Sequence, residues 1–256
     1  MRVEILRKIR VAMTPRSLIL RTRLENGAIV AGLNQPGFGG RGIYIFGDSL
    51  EPELSALGRF LRPGFVFVDI GANVGVYTVK AAKEVGEGGL VVAVEPFIES
   101  ARQLFGNVQA NHFRNVRVRN LCIGQSTGST QLYMNKGKPN SFSLMADGDV
   151  ESISVLSASL DDLCRWERLE RLDYLKIDAE GAEAMILEGG KASIQCFRPI
   201  IQVEITKCGT KTPEGYLRFS VGRTMNDLLI PVENRDAIEA AESLGWVQWR
   251  DKKGAF

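Results

Sequence analysis

From residue 65 onward, short apolar runs alternate with segments whose apolar residues recur at helical spacing. The run F-V-F-V-D-I at residues 65–70 is almost wholly apolar, which is typical of a strand buried on both faces of a parallel sheet. Residues 90–94 and 116–123 have the same character, and helices are predicted from Gly75 and over residues 99–109. This alternation predicts βαβ units around a parallel sheet.

Residues 124–160 interrupt the alternation with turn-rich sequence. Within them, residues 131–134 and 152–156 alternate apolar and polar side chains, which predicts an inserted antiparallel β-hairpin. The alternation then resumes, with helices predicted at residues 160–169, 182–189 and 236–244 and strands at 174–177, 200–205 and 246–249. Residues 206–234 read as a loose connection. We therefore predict one doubly wound α/β domain, with a mostly parallel sheet, over residues 51–256.

Residues 1–50 are predicted to form an extension in front of this domain. Four apolar residues recur at three- and four-residue spacing: Val3, Leu6, Ile9 and Met13. This spacing predicts an amphipathic helix that ends at Thr14-Pro15. Residues 1–23 carry seven basic residues and one acidic residue. We favour a helix that packs against the domain with its arginines in water, and peripheral contact with an anionic membrane is the alternative.

The rest of the extension is predicted to be short strands and turns. Asn26-Gly27 is a hairpin signal, and residues 37–42 are rich in glycine and read as a flexible loop. A helix is predicted over residues 52–61, where Arg62-Pro63-Gly64 stops it.

Composition limits the classes of function. Apolar residues make up 45% of the chain, charged residues 24%, and the net charge is +2, so nothing favours a nucleic acid as the main partner. The cysteines (Cys122, Cys164, Cys196 and Cys208) and the single histidine, His112, lack zinc-site spacing, so we expect free thiols in a reducing compartment. No apolar run reaches the about 18 residues of a membrane span, and no signal-peptide core is present. We predict a cytoplasmic protein without an integral membrane segment.

The motif that carries chemistry lies where the strand at residues 65–70 turns into a helix. There, D-I-G-A-N-V-G at residues 69–75 has the form D-x-G-x-N-x-G. Gly71 and Gly75 let the backbone turn tightly and approach a ligand, and the helix behind them presents unpaired N–H groups. Ligands of parallel sheets bind beyond the carboxyl ends of the strands, so the motif lies at the binding edge.

A second acid, Glu95, ends the next strand in V-V-A-V-E-P, 24 residues after Gly71. A carboxylate at that place can accept both hydroxyls of a ribose. A dinucleotide fingerprint would read G-x-G-x-x-G, whereas here Asn73 replaces the second glycine and Asp69 would repel a pyrophosphate. The two acids therefore disfavour a nicotinamide cofactor and favour a ligand with a cationic amino-acid group.

Three further acids, Asp178, Glu180 and Glu204, follow later strands. If they converge on one edge, they can act as a general base, raise one another's pKa or bind Mg²⁺. Each can instead cap a helix or pair with Lys176 or Lys207. We favour Asp178 or Glu180 as the base and expect no metal, because no histidine or aspartate pair strengthens a metal site.

These motifs, in this order, resemble the FkbM family of class I S-adenosylmethionine-dependent methyltransferases. They are D-I-G-A-N-V-G at residues 69–75, V-V-A-V-E-P at 91–96, S-L-D-D-L at 159–163, K-I-D-A-E-G-A-E at 176–183 and P-I-I-Q-V-E-I at 199–205. The lead-in G-D-S-L-E-P-E at residues 47–53 is also similar to that family, so the resemblance covers residues 44–206.

The resemblance implies a Rossmann-like sheet of seven strands with the last antiparallel, S-adenosylmethionine as cofactor, and methyl transfer to a hydroxyl of a sugar, glycan or secondary metabolite. It also implies the residues that bind the cofactor: Asp69, Gly71, Asn73 and Gly75 at the methionine end, Glu95 at the ribose, Ala72 and Pro96 beside them, and Asn120 and Cys122 at the adenine. Residues 140–143 either lie over the cofactor or substrate or form a polar loop.

Two other functions fit the same scaffold. An enzyme that methylates RNA or protein would need a basic or aromatic surface near the edge, which the near-zero net charge does not indicate. A binding module without catalysis would keep the cofactor turn, but the intact motif and the later acids argue against it.

Overall fold

The structure is a computed structural model that describes residues 2–35, 40–134, 142–143, 151–204, 211–222 and 224–249. In this part of the chain, an eight-stranded sheet is accompanied by a two-stranded and a four-stranded sheet. Helices cover both faces of the eight-stranded sheet, as a doubly wound fold requires.

The N-terminal extension contains helices and a hairpin. Its elements are α1 (Arg2–Met13), β1 (Ile19–Arg23), β2 (Ile29–Leu33), α2 (Gly40–Phe46) and a 3-10 turn (Gly47–Leu50). β1 and β2 pair antiparallel, and Gly27 has a φ of 89° between them, so the predicted hairpin is confirmed. The loop prediction is wrong for residues 40–42, which belong to α2. A Cβ on Gly40 would lie 2.3 Å from the Gly32 backbone, so this glycine lets α2 pack directly on β2.

α1 forms where the sequence predicts it, but it packs through a different face. The predicted packing residues are more than half exposed: Val3 63%, Leu6 66%, Ile9 51% and Met13 81%. Val11 is the buried residue of the helix, at 2% exposure. Asn34 sets this orientation, because its Nδ2 donates to the carbonyls of Val11 at 3.0 Å and Thr14 at 2.8 Å.

The elements from residue 51 onward make up the main body. The helices are α3 (Pro52–Phe60), α4 (Val76–Val85), α5 (Ile98–Ala110), α6 (Leu160–Trp166), α7 (Glu183–Gly189), α8 (Lys191–Phe197) and α9 (Arg235–Ser243). The strands are β3 (Val66–Ile70), β4 (Leu90–Val94), β5 (Val116–Arg119), β6 (Cys122–Gly124), β7 (Gly128–Met134), β8 (Phe142–Ser143), β9 (Ser152–Ser159), β10 (Tyr174–Ile177), β11 (Ile200–Glu204), β12 (Tyr216–Ser220), β13 (Asn226–Pro231) and β14 (Val247–Gln248).

The eight-stranded sheet has the order β5-β4-β3-β10-β11-β13-β12-β14. The pairings from β5 to β11 are parallel, and those of β13, β12 and β14 are antiparallel. The doubly wound, mostly parallel fold is therefore confirmed. The described sheet has one strand more than the seven that the family resemblance implies, because β14 adds a two-residue edge strand.

Alternate residues of the strands face two separate cores. Phe67 and Tyr174 stack their rings, with centroids 5.2 Å apart, on the face covered by α3, α4 and α9. Val68 and Leu175 face the other core, against α6, α7 and α8. The apolar character of β3 and β10 thus follows from burial on both faces.

Two stretches differ from the sequence prediction. Residues 116–123 form two strands, because the chain leaves the main sheet at Asn120, whose Nδ2 donates to the carbonyls of Glu95 and Pro96 at 2.8 and 2.9 Å. The loose connection at residues 206–234 contains β12 and β13, and residues 205–210 and 223 lie outside the described part.

The predicted inserted hairpin is confirmed as β7 and β9, which pair antiparallel in the four-stranded sheet.

The extension packs on the main body through side-chain amides. On α5, Asn107 exchanges hydrogen bonds with the backbone of Ala31 at 2.8 and 2.9 Å, and Asn111 does the same with Ile29 at 2.7 Å. These amides complete the edge of β2 as a neighbouring strand would. The division of the chain at residue 50 stays a prediction.

Gly71 marks the closest approach between the turn after β3 and the end of β10. Its φ is +74°, and a Cβ there would lie 1.8 Å from the carbonyl oxygen of Asp178. Gly64 has a similar φ of +85° but open space around it, so it is a matched control.

We expect Gly64→Ala to cost about 1–2 kcal/mol of unfolding free energy, the cost of a left-handed backbone at a residue with a Cβ. Gly71→Ala should cost about 1–3 kcal/mol more, because the Asp178 carbonyl must also move. Urea unfolding of both variants measures the difference. Equal losses would contradict the close packing of these two segments.

Candidate active site

A row of polar side chains crosses three neighbouring strands near their carboxyl ends. Asp69 of β3 and Gln202 of β11 are both register partners of Lys176 in β10. All three are buried, with exposures of 0%, 1% and 4% for Asp69, Gln202 and Lys176. The residues that flank each of the three in its strand are apolar, so these polar side chains are isolated within an otherwise apolar part of the sheet.

Lys176 joins the cofactor motif to the edge acids. Its Nζ lies 3.1 Å from Asp178 Oδ2, 3.8 Å from Asp69 Oδ1 and 4.8 Å from the centroid of the Tyr77 ring. Burial acts to lower the pKa of Lys176, but the charges of Asp178 and Asp69 outweigh it and hold the pKa above its usual value. Lys176 therefore stays a cation beneath the site.

Asp69 is held from the helix side as well. Thr78 Oγ1, on α4, donates to Asp69 Oδ2 at 2.6 Å. Burial raises the pKa of Asp69, and Lys176 and Thr78 offset part of that effect. Asp69 Oδ1 accepts no hydrogen bond from the described residues, so this buried oxygen is available to a donor.

The turn after β3 is fixed by the backbone of β4. The N–H groups of Gly71 and Ala72 both donate to the carbonyl of Val94 at 3.0 Å. Asn73 has a φ of 49°, and Gly75, with a φ of 88°, precedes α4. A Cβ on Gly75 would lie 2.4 Å from Leu104 Cδ1, so this glycine allows α5 to pack against the turn.

A cavity of about 160 Å³ opens beside this turn. Seven of the residues predicted for the site line it: Gly71, Asn73, Glu95, Pro96, Cys122, Asp178 and Glu180. The structure thus brings the cofactor motif, the end of β4 and two of the edge acids to one place. Asp69, Ala72, Gly75, Asn120 and Glu204 are not among the lining residues, and Asp69 and Ala72 are buried behind it.

Glu95 lines this cavity directly after the end of β4. Its two carboxylate oxygens accept the backbone N–H groups of Asn73 at 2.8 Å and Phe97 at 2.9 Å. Burial raises the pKa of Glu95 to about 7, although these two hydrogen bonds act to lower it. Each oxygen keeps a lone pair for a further donor, as the predicted ribose contact requires.

The two residues predicted at the adenine have different positions. Asn120 Nδ2 is engaged by the carbonyls of Glu95 and Pro96, so this side chain fixes the turn that presents Glu95. Cys122 does not end the third strand of the main sheet; it begins β6, where it is buried and lines the cavity beside Leu121 and Ile123. The adenine contact of Asn120 and Cys122 stays a prediction. Of residues 140–143, only the short strand β8 is described.

The edge acids are held by a turn between β10 and α7. Glu183, buried at 0% exposure, accepts the N–H groups of Ala179 and Gly181 at 3.1 Å each. These bonds close a turn in which Glu180 has a φ of 49°. The pairing of Asp178 with Lys176, foreseen as an alternative to a chemical role, is present.

Glu204 ends β11 and is partly buried. Burial, together with the nearby charges of Asp178 and Glu180, raises the pKa of Glu204 to about 7, while Lys176 acts to lower it. The three predicted edge acids are therefore electrostatically coupled. Among the residues that the structure describes, no group of three or more His, Cys, Asp or Glu is arranged to hold a metal ion.

Sequence reasoning missed the part that Lys176 and Glu183 take in this site. Both belong to K-I-D-A-E-G-A-E, and a lysine inside an otherwise apolar strand was the available signal. Two acids of the lead-in at residues 47–53 bind side chains of α4. Glu51 Oε2 accepts a hydrogen bond from the Tyr77 hydroxyl at 2.6 Å, and Asp48 forms a buried ion pair with Lys80.

The residues present fit S-adenosylmethionine. Asn73 Oδ1, like Asp69 Oδ1, is buried and accepts no hydrogen bond from the described residues. Two orphaned acceptors beside a glycine turn suit a cationic amino-acid group, and Glu95 suits a ribose. A sheet of this topology, with this glycine turn and these acids at the carboxyl ends of its strands, is that of an S-adenosylmethionine-dependent methyltransferase.

Comparison with known proteins gives the family. The model of the methyltransferase FkbM domain matches residues 69–219, more than half of the chain. The chain belongs to the FkbM methyltransferase family, and its cofactor is S-adenosylmethionine. A search of curated proteins gave no match.

Three solved structures of methyltransferases align with this chain at low sequence identity. A methyltransferase FkbM from Methylobacillus flagellatus KT is 18% identical over 74% of this chain and 52% of its own, with a TM-score of 0.44. The alignment thus spans about half of that protein. A SAM-dependent methyltransferase from Aquifex aeolicus is 16% identical over 70% of this chain and 87% of its own, with a TM-score of 0.37. The N-terminal domain of human METTL16, in complex with SAH, is 17% identical over 70% of this chain and 65% of its own, with a TM-score of 0.38.

The pKa of Glu95 predicts pH-dependent cofactor binding. With a pKa of about 7, the carboxyl is mostly protonated at low pH and must lose its proton before it can accept two ribose hydroxyls. Affinity for S-adenosylhomocysteine should therefore rise about tenfold between about pH 6 and about pH 8. Isothermal titration calorimetry measures the dissociation constant at each pH.

Glu95→Gln should weaken binding at the higher pH by at least about tenfold and abolish the pH dependence. Glu204→Gln is the matched control, since Glu204 has a similar pKa but lies off the cavity wall, and it should keep the dependence. A pH dependence that survives in Glu95→Gln would remove Glu95 from the cofactor site.

Proposed function

We propose that this chain transfers the methyl group of S-adenosylmethionine to a hydroxyl oxygen of a sugar, glycan or secondary metabolite, with Glu204 as the general base. The observation that carries the proposal is the position and pKa of Glu204. It is a partly buried carboxyl at the end of β11, and its pKa is raised to about 7 by burial and by the charges of Asp178 and Glu180, which line the cavity together with the cofactor motif. A general base works best when its pKa lies near the working pH.

The proposal assigns parts of the cofactor to three residues that line the cavity, Gly71, Asn73 and Glu95, and to the buried Asp69 next to them in the chain. Asp69 and Asn73 offer their orphaned oxygens to the amino-acid end, Gly71 allows close approach of the backbone, and Glu95 accepts the ribose hydroxyls. Bound there, S-adenosylmethionine would supply an electrophilic methyl group on a sulfonium, and the sulfur would keep the electrons of the broken carbon–sulfur bond and become the neutral thioether of S-adenosylhomocysteine. Holding the reacting groups in line contributes about 7–11 kcal/mol to lowering the barrier in such reactions.

Glu204 is better suited to proton removal than the two acids that sequence reasoning favoured. Asp178 is paired with Lys176 at 3.1 Å, so its negative charge is held in place as a counterion. Glu180 lines the cavity on an exposed turn, and its charge helps to raise the pKa of Glu204. In this division of roles, the charges of Asp178 and Glu180 raise the pKa of Glu204. Glu204 takes the proton of the acceptor hydroxyl as the oxygen–methyl bond forms.

The charge of the edge favours a hydroxyl-rich acceptor over a nucleic acid. Asp178, Glu180 and Glu183 all raise the pKa of Glu204, so several carboxylates lie close together at this edge. Carboxylates accept hydrogen bonds from hydroxyls and repel phosphates.

The free thiols of Cys122, Cys164 and Cys196 support a reducing compartment, and we place the reaction in the cytoplasm.

The proposal predicts a separation of turnover from binding at Glu204. On an acceptor found by screening sugars, glycans and polyketides for S-adenosylhomocysteine release, Glu204→Gln should lower kcat about 10²–10⁴-fold. Affinity for the cofactor should change much less, because the proton moves only in the transition state. The rise of the wild-type rate toward a pH of about 7 should also be lost in the variant.

Asp178→Asn and Glu180→Gln are the matched comparisons. They should keep a base but shift the pH profile to lower pH, because removing a neighbouring negative charge lowers the pKa of Glu204. Near-normal kcat in Glu204→Gln would assign the base elsewhere. If the protein methylates RNA or protein and no small molecule, the proposed class of acceptor is wrong. If it binds the cofactor but transfers no methyl group to any acceptor, it is a non-catalytic binding module.

A further inference from the structure

The exposed face of α1 is apolar, which is unusual for a helix that is firmly attached to its domain. Ile5, Leu6, Ile9 and Met13 are between 51% and 81% exposed. On a helical projection of 100° per residue, these four lie within about 100° of one another and opposite Val11. A docked helix normally places its polar face in water.

Contacts on the inner side fix this orientation. Arg7 lies over the ring of Tyr44 at 5.8 Å, and Lys8 lies over the ring of Phe46 at 5.2 Å. Together with the two hydrogen bonds from Asn34 at the end of the helix, they hold α1 against α2 and β2. The apolar face is therefore a property of the folded chain. Leu18 and Ile19, at the start of β1, are also exposed, at 52% and 65%.

Positive charge is concentrated in the segment that carries this face. Residues 1–23 hold seven basic residues and one acidic residue, whereas the rest of the chain has more acidic than basic residues. Arg10 and Arg16 are exposed beside the apolar residues. This separation of charge within a nearly neutral protein points to an anionic partner.

We propose that α1, with residues 14–23, is a binding surface for anionic lipid bilayers, in which it lies parallel to the membrane plane. Exposed apolar side chains flanked by cations match the boundary between acyl chains and headgroups, where such a helix buries its apolar face about 5–10 Å deep. Among the described residues, no helix is long and apolar enough to cross a bilayer. A second copy of this chain is a poorer occupant, because it would oppose two surfaces of like charge.

Vesicle flotation of the full chain tests the proposal. The vesicles are phosphatidylcholine alone, or phosphatidylcholine with about a third of phosphatidylglycerol, at low and high salt. The wild type should float with the anionic vesicles at low salt, and salt should weaken binding. Ile5→Gln/Ile9→Gln, which keeps both charge and helix propensity, should lower partitioning by at least about tenfold.

Leu156→Gln/Val247→Gln is the matched control, since these residues are 71% and 69% exposed elsewhere on the surface, and it should float like the wild type. Arg10→Gln/Arg16→Gln should reduce both binding and its salt dependence. Failure of the wild type to float, or unchanged flotation of Ile5→Gln/Ile9→Gln, would overturn the proposal. So would sedimentation velocity showing a wild-type dimer that Ile5→Gln/Ile9→Gln dissociates, because a second copy would then cover this face.

Discussion

A cation buried in the central sheet is the constraint on which the geometry of the site depends. Lys176 is 4% exposed, and its ammonium group is stable there only because Asp178 and Asp69 lie within 4 Å of it. Asp69 begins the cofactor turn and Asp178 begins the turn that carries the edge acids. One charge therefore ties the cofactor side of the edge to the acceptor side, and the Tyr77 ring covers its remaining face.

Steric contact reinforces this electrostatic link. Gly71 packs so closely on the Asp178 carbonyl that a side chain has no room, and Glu183 closes the turn that follows. The two turns are thus in both steric and electrostatic contact. Catalysis by alignment depends on such a fixed relation between the cofactor side and the acceptor side more than on any single contact.

The sequence predicts the features that depend on local chemistry. Buried strands such as β3 and β10 are apolar along their length, and the glycines of the cofactor turn are required by backbone angles within the turn itself. The features it misses are set by contacts distant in sequence. Asn120 divides the predicted third strand because it bonds to Glu95 and Pro96, Asn34 decides which face of α1 is buried, and the partners of Lys176 follow from strand register. The roles assigned to the site residues stay predictions.

A double-mutant cycle between Asp69 and Lys176 tests the central claim most directly. Lys176→Met should lower the unfolding free energy by about 3–5 kcal/mol, because it leaves the buried Asp69 without its cation, and Asp69→Asn should cost less, because Asp178 still pairs with Lys176. The double variant should lose less than the sum of the two by at least about 1 kcal/mol, as expected for residues that interact. Urea unfolding of the four proteins gives the coupling energy. Losses that simply add would show that the two groups do not stabilise each other, and would contradict the account.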